Sequence, residues 1–217
     1  MSERRHRQDF IGMTHLTQVT PVKGKRTGEN VAKKGIIITV SGPHGTGKST
    51  YARALAKALG LRYVCAGELF RELAREKTLT LEAFSKYAAN NPEVDKLIDE
   101  RTREEAMTRD VVIDAQLGAW LLKNDADVKL LLVASDAIRF KRIAGRDRVS
   151  FETAKRETLA REQIQRDRYM KYYGIDVTDQ SIYDLRIDTG LQSIDKTKMT
   201  IIEAVRRALS NRESRNQ

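Results

Sequence analysis

Residues 42–49 are Gly42-Pro43-His44-Gly45-Thr46-Gly47-Lys48-Ser49. They match the phosphate-binding loop pattern, in which a glycine is followed after four residues by Gly, Lys and then Ser or Thr. The apolar run at 36–40 predicts a buried parallel strand directly before the loop. The pattern at 51–59 predicts a helix after it, ending at Gly60. Because a strand and a helix flank the loop, the match is specific, and a glycine-rich turn in some other α/β protein is the weaker alternative.

The loop predicts a site for a nucleotide polyphosphate. Its backbone N–H groups would point outward, and the dipole of the following helix favours an anion. The three glycines would let the backbone approach the phosphates closely. We expect Lys48 to neutralise the β- and γ-phosphates and Ser49 to hold Mg²⁺ through its hydroxyl group, whereas His44 receives no catalytic role. The predicted nucleotide-binding residues are Gly42, Pro43, His44, Gly45, Thr46, Gly47, Lys48, Ser49 and Thr50.

The composition is that of an ordinary globular protein. The 217 residues suit one domain with a sizeable core, and 40% of them are hydrophobic and 32% charged. No apolar run approaches the ~20 residues that span a bilayer, and the N-terminus leads into no apolar signal segment. One cysteine, Cys65, excludes an internal disulfide framework, and we interpret it as a packed strand residue. We expect a cytoplasmic protein that is a monomer and makes no membrane contact.

The first 34 residues form a basic arm. They carry eight basic and three acidic residues, which gives +5 of the total net charge of +10. The arm has no sustained apolar period, so we expect it to be largely disordered and the folded domain to span 35–217. It could contact nucleic acid or an acidic partner. It could also be a solvated tail, or reflect a start site placed too early with Met13 as the alternative, and we favour these two interpretations.

Strand and helix patterns alternate along the rest of the chain. Four further apolar runs predict strands at 61–65, 111–114, 128–133 and 183–188. Helical patterns lie between or after these runs, at about 68–108, 139–174 and 193–209. This alternation predicts an α/β protein, a P-loop three-layer fold with a five-stranded parallel sheet. Ligands of such sheets bind at the carboxyl ends of the strands, where the loop, a short turn at 66–71 and Asp114 would lie together.

Local signals predict where several helices begin and end. Thr80 and Ser150 are predicted N-caps, and Gly174 is predicted to end the helix that follows Ser150. Asn91-Pro92 predicts another helix start, with Asn91 as the N-cap and Pro92 at the first helical position.

The helix predicted after Ser150 carries functional candidates on one face. Arg161, Gln165 and Arg168 are spaced i, i+4 and i+7. A phosphate donor site needs groups opposite it that stabilise the transferring phosphoryl group, and guanidinium groups suit phosphate oxygens. The alternative is a purely structural, solvated helix face.

The available side chains favour phosphoryl transfer, which needs positioning and charge neutralisation more than covalent help. Asp114 ends the third predicted strand and would orient Mg²⁺ or its water ligands, with a strand-end turn residue as the alternative. A kinase also needs an acceptor pocket and a lid that excludes water. The helical insert at about 68–108 and the arginine-rich segment at about 139–174 are suited to these two roles.

Five short stretches carry a resemblance to a known family. Residues 142–146 read RIAGR, and residues 65–74, 117–120, 172–176 and 181–185 read CAGELFRELA, LGAW, YYGID and SIYDL. The first is similar to the start of the lid in adenylate kinases. The other four resemble archaeal cytidylate kinases, in the same order along the chain. Residues 35–209 are therefore identified as a member of the nucleoside monophosphate kinases, and the arm lies outside the resemblance.

The resemblance implies a reaction and roles for particular arginines. It implies ATP-dependent phosphorylation of CMP or dCMP with Mg²⁺. Arg71 would hold the acceptor phosphate, and Arg161 and Arg168 would clamp phosphates from the lid. Arg142 would lie against the adenine of ATP, and Arg146 would lie near its phosphates.

Two positions depart from the family pattern. The family leads us to expect an arginine soon after the third strand, where this chain has Gln116, and an acidic residue between the lid arginines, where it has Gln165. Both positions resemble ones that recognise cytosine, and a glutamine amide can accept or donate. Base selectivity could therefore be weaker than in the family, or shifted toward UMP.

Three hypotheses remain. The first is a kinase of CMP or dCMP, with a UMP/CMP kinase of relaxed base choice as its variant. The second is an adenylate-kinase-like ATPase in ribosome assembly, against which Arg71, Arg161 and Arg168 together count. The third is a nucleotide-binding module that regulates a partner without turnover, against which Lys48 and Ser49 count.

Overall fold

The computed structural model describes residues 20–21 and 35–214, and within them a six-stranded sheet. The strands are β1 Thr20–Pro21, β2 Ile37–Ser41, β3 Arg62–Cys65, β4 Val111–Asp114, β5 Val128–Val133 and β6 Leu185–Asp188, in the spatial order β1-β6-β5-β2-β4-β3. Strands β2 to β6 pair in parallel, which confirms the predicted five-stranded parallel sheet. Strand β1 belongs to the predicted arm and pairs antiparallel with β6. The predicted disorder of the rest of the arm concerns residues outside the described ones.

Eight helices are described, and the longer ones cover both faces of the sheet. They are α1 Lys48–Leu59, α2 Ala66–Glu76, α3 Leu81–Asn90, α4 Pro92–Met107, α5 Gly118–Leu121, α6 Asp136–Asp147, α7 Phe151–Tyr173 and α8 Ile194–Glu213. Successive strand side chains point to opposite faces. Ile38 packs with Leu55 of α1 and Ile201 of α8, whereas Ile37 packs with Ala106 of α4 on the other face. The predicted three-layer architecture is therefore confirmed.

Most predicted helix boundaries match the structure. The Thr80 side chain accepts a hydrogen bond from the Ala83 N–H, and the Ser150 side chain accepts one from the Thr153 N–H. Gly174 ends α7 in the left-handed conformation with φ 64°. These ends depend on contacts within one turn of helix, which is why a local sequence signal predicts them.

Two local predictions were wrong, and a third was confirmed in position only. Asn91 is the N-cap residue of α4 and Pro92 begins the helix, as predicted. The Asn91 side chain, however, donates to the Tyr87 carbonyl at the end of α3, because this single residue connects the two helices. No turn separates β3 from α2, since α2 begins directly after Cys65. Helix α8 extends to residue 213, and Arg212 anchors its last turn by donating to the Ala126 carbonyl.

The predicted insert and lid pack against each other. Helices α2, α3 and α4 enclose a small core of their own around the fully buried Phe84. Helix α7 lies against α3, and the Tyr172 hydroxyl donates to the Ala89 carbonyl at 2.6 Å. The described helices include none long and apolar enough to cross a membrane.

Candidate active site

One large cleft collects most of the predicted site residues. Its volume is about 990 Å³, and it opens between the carboxyl ends of the strands, helices α2 to α4, and helices α6 and α7. Gly42 and Pro43 instead face a neighbouring cavity of about 190 Å³, and Thr46 is buried with its hydroxyl donating to the Pro43 carbonyl. The predicted residues that line the cleft are His44, Gly45, Gly47, Lys48, Ser49, Thr50, Arg71, Asp114, Gln116, Arg142, Arg146, Arg161, Gln165 and Arg168.

Close contacts with neighbouring backbone atoms also require glycine at two positions of the loop. Gly42 has φ 145°, and a Cβ there would lie 2.1 Å from the Leu132 carbonyl oxygen on β5. Gly45 has φ 80°, and a Cβ there would lie 2.6 Å from the Arg139 carbonyl oxygen on α6. The loop is therefore pressed against β5 and α6, and its conformation is fixed by those contacts.

Lys48, the residue predicted to contact phosphate, occupies the first position of α1. Its ammonium group donates to the Gly42 carbonyl at 2.7 Å and to the Pro43 carbonyl at 3.2 Å. Burial lowers the pKa of Lys48, with opposing contributions from Asp114 and Glu162. The cation is thus held inside the loop and borders the cleft.

Ser49 and Asp114, the two residues predicted to hold Mg²⁺, are joined by a hydrogen bond. The Ser49 hydroxyl donates to Asp114 Oδ2 at 2.6 Å, and the Tyr63 hydroxyl donates to the same oxygen at 2.9 Å. Asp114 is 3% exposed, at the end of β4. Burial and the nearby Asp114 raise the pKa of the Cys65 thiol, which agrees with a packed residue and not a nucleophile.

The donor set fits Mg²⁺ only together with a nucleotide. Mg²⁺ prefers oxygen ligands and is usually held by one or two carboxylates, water and substrate phosphates. Ser49 and Asp114 supply one hydroxyl and one carboxylate at hydrogen-bond distance from each other. In residues 35–214 no three His, Cys, Asp or Glu side chains gather into a cation site. The remaining ligands would therefore come from phosphate and water.

Arg142 and Arg146 lie on α6 and line the cleft. Arg142 donates to the Thr189 carbonyl at 2.7 Å, and the Thr189 hydroxyl donates to the Thr46 carbonyl at 2.8 Å. Arg142 is therefore fixed relative to the loop. Arg146 is exposed and paired with Asp147, with its Nε 2.7 Å from Oδ1.

Helix α7 presents Arg161, Gln165 and Arg168 to the cleft. The prediction that these three residues share one face of the helix is therefore confirmed. Arg161 has a buried Nε without a hydrogen-bond partner in the described chain, and burial lowers the pKa of its guanidinium group. Arg168 lies 2.7 Å from Asp95 Oδ2 of α4. An unpaired, buried guanidinium N–H is a suitable donor to an anionic ligand.

The three remaining substrate-binding candidates lie along the edge of the cleft. Arg71 is exposed on α2, and Gln116 follows β4 between the large cleft and the smaller cavity. The Gln165 amide donates to the Tyr169 hydroxyl at 2.7 Å. Trp120 is absent from the residues that line the cleft in the described chain, and it packs edge-on against Tyr183 as a packing residue should.

A buried ion pair connects the loop to α6 and α7. Glu162 Oε1 accepts from the His44 backbone N–H at 3.0 Å and from Arg139 Nη1 at 2.7 Å, and Arg139 Nη1 also donates to the His44 carbonyl at 2.7 Å. Burial opposes ionisation of Glu162, but hydrogen bonds with the His44 ring and from Arg139 hold its pKa down at about 2. Burial lowers the pKa of His44 to about 4, so its ring is neutral at pH 7. His44 therefore has a structural role in holding the loop.

The comparison with known sequences decides the family. Residues 37–191 match the cytidylate kinase-like family. The chain belongs to that family. It is 47% identical over 174 residues to a cytidylate kinase of Staphylothermus marinus, a match that covers 80% of this chain and 98% of the relative. It is 41% identical over 169 residues to a cytidylate kinase of Archaeoglobus fulgidus, covering 77% of this chain and 93% of the relative.

Solved structures with a similar backbone include other small-molecule kinases. A shikimate kinase from Acinetobacter baumannii has a TM-score of 0.52 at 17% identity, covering 82% of this chain and 95% of that one. A gluconokinase from Sinorhizobium meliloti has a TM-score of 0.58 at 14% identity, and the match covers 84% of this chain and 98% of the gluconokinase chain. At such low identity the likeness concerns the fold alone, and it agrees with the predicted three-layer α/β architecture.

Four residues of this cytidylate kinase-like chain were missed by sequence patterns. They lie in or beside the cleft and are Tyr63, Asp95, Arg139 and Glu162. Two weak signals were present in the sequence. Glu162 directly follows a candidate arginine on the same helix, and Asp95 lies inside the predicted insert. Neither signal predicts the ion-pair partner, because Arg139 and Arg168 are distant in sequence from Glu162 and Asp95.

Proposed function

We propose that this chain transfers the γ-phosphate of ATP to CMP or dCMP, giving ADP and CDP or dCDP. One observation carries the proposal: a single cleft is lined both by the phosphate-binding loop and by Arg71, Arg161 and Arg168. A phosphate donor and a phosphate acceptor can therefore be bound in one enclosed space. Family membership and relatives named cytidylate kinase support cytosine as the acceptor base.

At the donor end, the loop would hold the phosphates of ATP. Lys48 would exchange its contacts with the Gly42 and Pro43 carbonyls for the β- and γ-phosphates, where negative charge must be neutralised. Ser49 and Asp114 would hold Mg²⁺, which would neutralise phosphate charge when bound. Arg142, fixed by Thr189, would lie against the adenine ring.

At the acceptor end, the arginines would bind phosphate whatever the base. The free Nε of Arg161 is already desolvated, so its hydrogen bond to a phosphoryl oxygen requires little further loss of water. Arg146 is exposed beside the same cleft and could move toward the transferring group. Packing of α7 on the insert helices would exclude water, which a kinase requires to avoid hydrolysing ATP.

A UMP/CMP kinase of relaxed base choice is a second candidate. The observation that favours it is that Gln116 and Gln165 both line the cleft as neutral amides, which can serve uracil as well as cytosine. An ATPase of the adenylate-kinase type is less favoured, because water as acceptor would need none of the three arginines.

An ADP-release assay with a panel of nucleoside monophosphates tests the proposal. We expect ADP release that depends on the added monophosphate, with CMP and dCMP the best acceptors and AMP and GMP poor ones. Equal ADP release with and without any monophosphate would contradict the proposal and support an ATPase. Binding of ATP without turnover under every condition would support a regulatory module.

A further inference from the structure

The acidic residue Asp95 lies at the acceptor end of the cleft, on the first turns of α4. Its carboxylate faces Arg168 of α7, with Oδ2 and Nε 2.7 Å apart and side-chain exposures of 7% and 5%. The two atoms are within ion-pair distance, yet in the described chain neither has a hydrogen-bond partner of suitable geometry. Burial raises the pKa of Asp95 to about 6, and Arg168 only partly offsets this.

Such a pair is unusual for a purely structural contact. A buried polar atom without a hydrogen bond costs about 1–3 kcal/mol, so a structural ion pair is normally well aligned. The neighbouring acid, Asp99, shows the ordinary arrangement, because it accepts a hydrogen bond from the Tyr173 hydroxyl. Of the two neighbouring acids, Asp95 is therefore the one with a buried carboxylate oxygen that accepts no hydrogen bond from the described chain.

The walls around Asp95 suit a flat ring. Phe70 and Ile98 line the same end of the cleft, and the Arg168 guanidinium carbon lies 5.5 Å from the Phe70 ring centroid. An aromatic side chain and an aliphatic one enclose a heterocycle well, and polar groups at the end of the slot then decide which ring is accepted. Asp95 and Asp99 are acidic groups at that end.

We infer that Asp95 determines specificity by accepting a hydrogen bond from the exocyclic amine of the acceptor cytosine. The inference rests on the proposed function and deepens it. Uracil carries a carbonyl oxygen in place of the amine, so a carboxylate would meet another acceptor. Asp95 thus supplies from α4 the acidic acceptor that was expected on α7, where this chain has Gln165.

The competing explanation is that Asp95 only positions Arg168. Arg168 is proposed to bind the acceptor phosphate, which is the same in CMP and UMP. Loss of a positioning residue would therefore lower kcat/KM for both substrates by the same factor. Loss of a residue that binds the amine would lower it for CMP alone, because only cytosine has that donor.

The test compares the two substrates in the Asp95→Asn variant. Asparagine keeps the size of the side chain, removes the negative charge that strengthens a hydrogen bond from the cytosine amine, and can donate to the uracil carbonyl. We expect kcat/KM for CMP to fall about 10- to 100-fold and kcat/KM for UMP to stay within about threefold or rise. The matched control is Glu93→Gln, which removes one negative charge from an exposed position of the same helix and should change neither value. Equal losses for CMP and UMP in Asp95→Asn would overturn the inference.

A second measurement covers the case in which Asp95→Asn does not fold. The smaller Asp95→Ser variant and the wild-type protein are each assayed with CMP and with pyrimidin-2-one ribonucleoside monophosphate, which lacks the amine. The wild-type protein should lose about 10- to 100-fold in kcat/KM when the amine is absent, and the variant should be nearly indifferent to it. An equal amine dependence in both proteins would overturn the inference while the kinase activity stands. Wild-type protein that phosphorylates no monophosphate would overturn the proposed function itself.

Discussion

Lys48 is the residue whose removal should affect the reaction most. The Lys48→Ala variant deletes the cation that lies over the β- and γ-phosphates, where charge develops during transfer. We expect kcat to fall by about 10²–10³-fold or more while the fold is retained. Its two hydrogen bonds to loop carbonyls should cost about 1 kcal/mol each in the free energy of unfolding. Steady-state kinetics and denaturant unfolding measure the two effects.

The control for this variant is Lys57→Ala, an exposed lysine on the same helix. It removes the same charge at a distance from the cleft and should leave kcat and stability nearly unchanged. Turnover of Lys48→Ala within threefold of the wild-type value would contradict the assignment of the loop.

Base choice is the second prediction at this scale. The double variant Gln116→Arg with Gln165→Asp restores the charged residues that the family leads us to expect. An arginine can donate to the ring nitrogen of cytosine, an acceptor that uracil replaces with a donor. We expect the CMP-over-UMP ratio of kcat/KM to rise by about 5- to 150-fold, or ~1–3 kcal/mol.

The same assay on each single variant separates the two positions. Gln165→Asp alone also exchanges a donor to the Tyr169 hydroxyl for an acceptor, which changes that contact without changing its partner. An unchanged ratio in the double variant would mean that neither position faces the base.

Single residues were predictable where a motif fixes them. The loop pattern and the strand-end position of Asp114 were enough to predict the pair with Ser49, which the structure places at 2.6 Å. Asp95 was not predictable, because it lies on α4 of the insert and its partner Arg168 lies on α7 of the lid, and only the folded chain brings the two together. A contact between distant parts of the chain has no periodic pattern that reveals it.

At the scale of elements, α7 is the helix that serves both the cleft and the loop. Arg161 faces the cleft, and its neighbour Glu162 accepts from Arg139 of α6 and from the loop backbone. The arginine proposed to contact substrate and the carboxylate that binds the loop are therefore consecutive residues of one helix.

The prediction at this scale concerns Glu162→Gln. The amide can still accept a hydrogen bond, but it leaves the buried Arg139 without its charged partner on α7. Removing one member of a buried pair typically costs about 3–5 kcal/mol, and Asp136 remains beside Arg139, so we expect a loss of ~2–4 kcal/mol in the free energy of unfolding. Denaturant unfolding at pH 7 measures it.

The matched control is Glu157→Gln, an exposed glutamate on the same helix whose side chain is 60% exposed. Its loss should change stability by less than about 0.5 kcal/mol. Similar effects of the two variants would show that the ion pair at the loop adds nothing beyond an ordinary surface charge.

Helix boundaries were predictable where the side chain of the N-cap residue accepts a hydrogen bond from a backbone N–H of the helix that it begins. Thr80 and Ser150 do so, and both predictions are confirmed. Asn91 occupies its predicted N-cap position, but its side chain does not cap α4, because two helices meet at this residue and the side chain satisfies the end of the first. The signal for a cap was present, but sequence alone does not say which of two adjacent helix ends uses the side chain.

At the scale of the whole molecule, the arm is the part whose function remains a prediction, together with the expected monomer. Deleting residues 1–34 removes β1, which pairs with β6 through Thr20 and Pro21 at the edge of the sheet. In the described chain, the residues that line the cleft lie between 44 and 194. We therefore expect kcat/KM for CMP within about twofold of the wild-type value and a decrease in Tm below about 5 °C.

Thermal unfolding and the kinase assay on the truncated protein measure these two quantities. A collapse in thermal stability would show that the arm docks on the core. The truncation should also weaken any salt-sensitive binding to RNA, which a filter-binding titration at two salt concentrations would detect.

The transfer of label from ATP to CMP tests the central claim most directly. The wild-type protein is incubated with [γ-³²P]ATP, Mg²⁺ and CMP, and the products are separated by chromatography, with Lys48→Ala as the control. We predict that the label appears in CDP, with little inorganic phosphate, and that Lys48→Ala transfers almost none. Label found in inorganic phosphate at the same rate with and without CMP would contradict the claim.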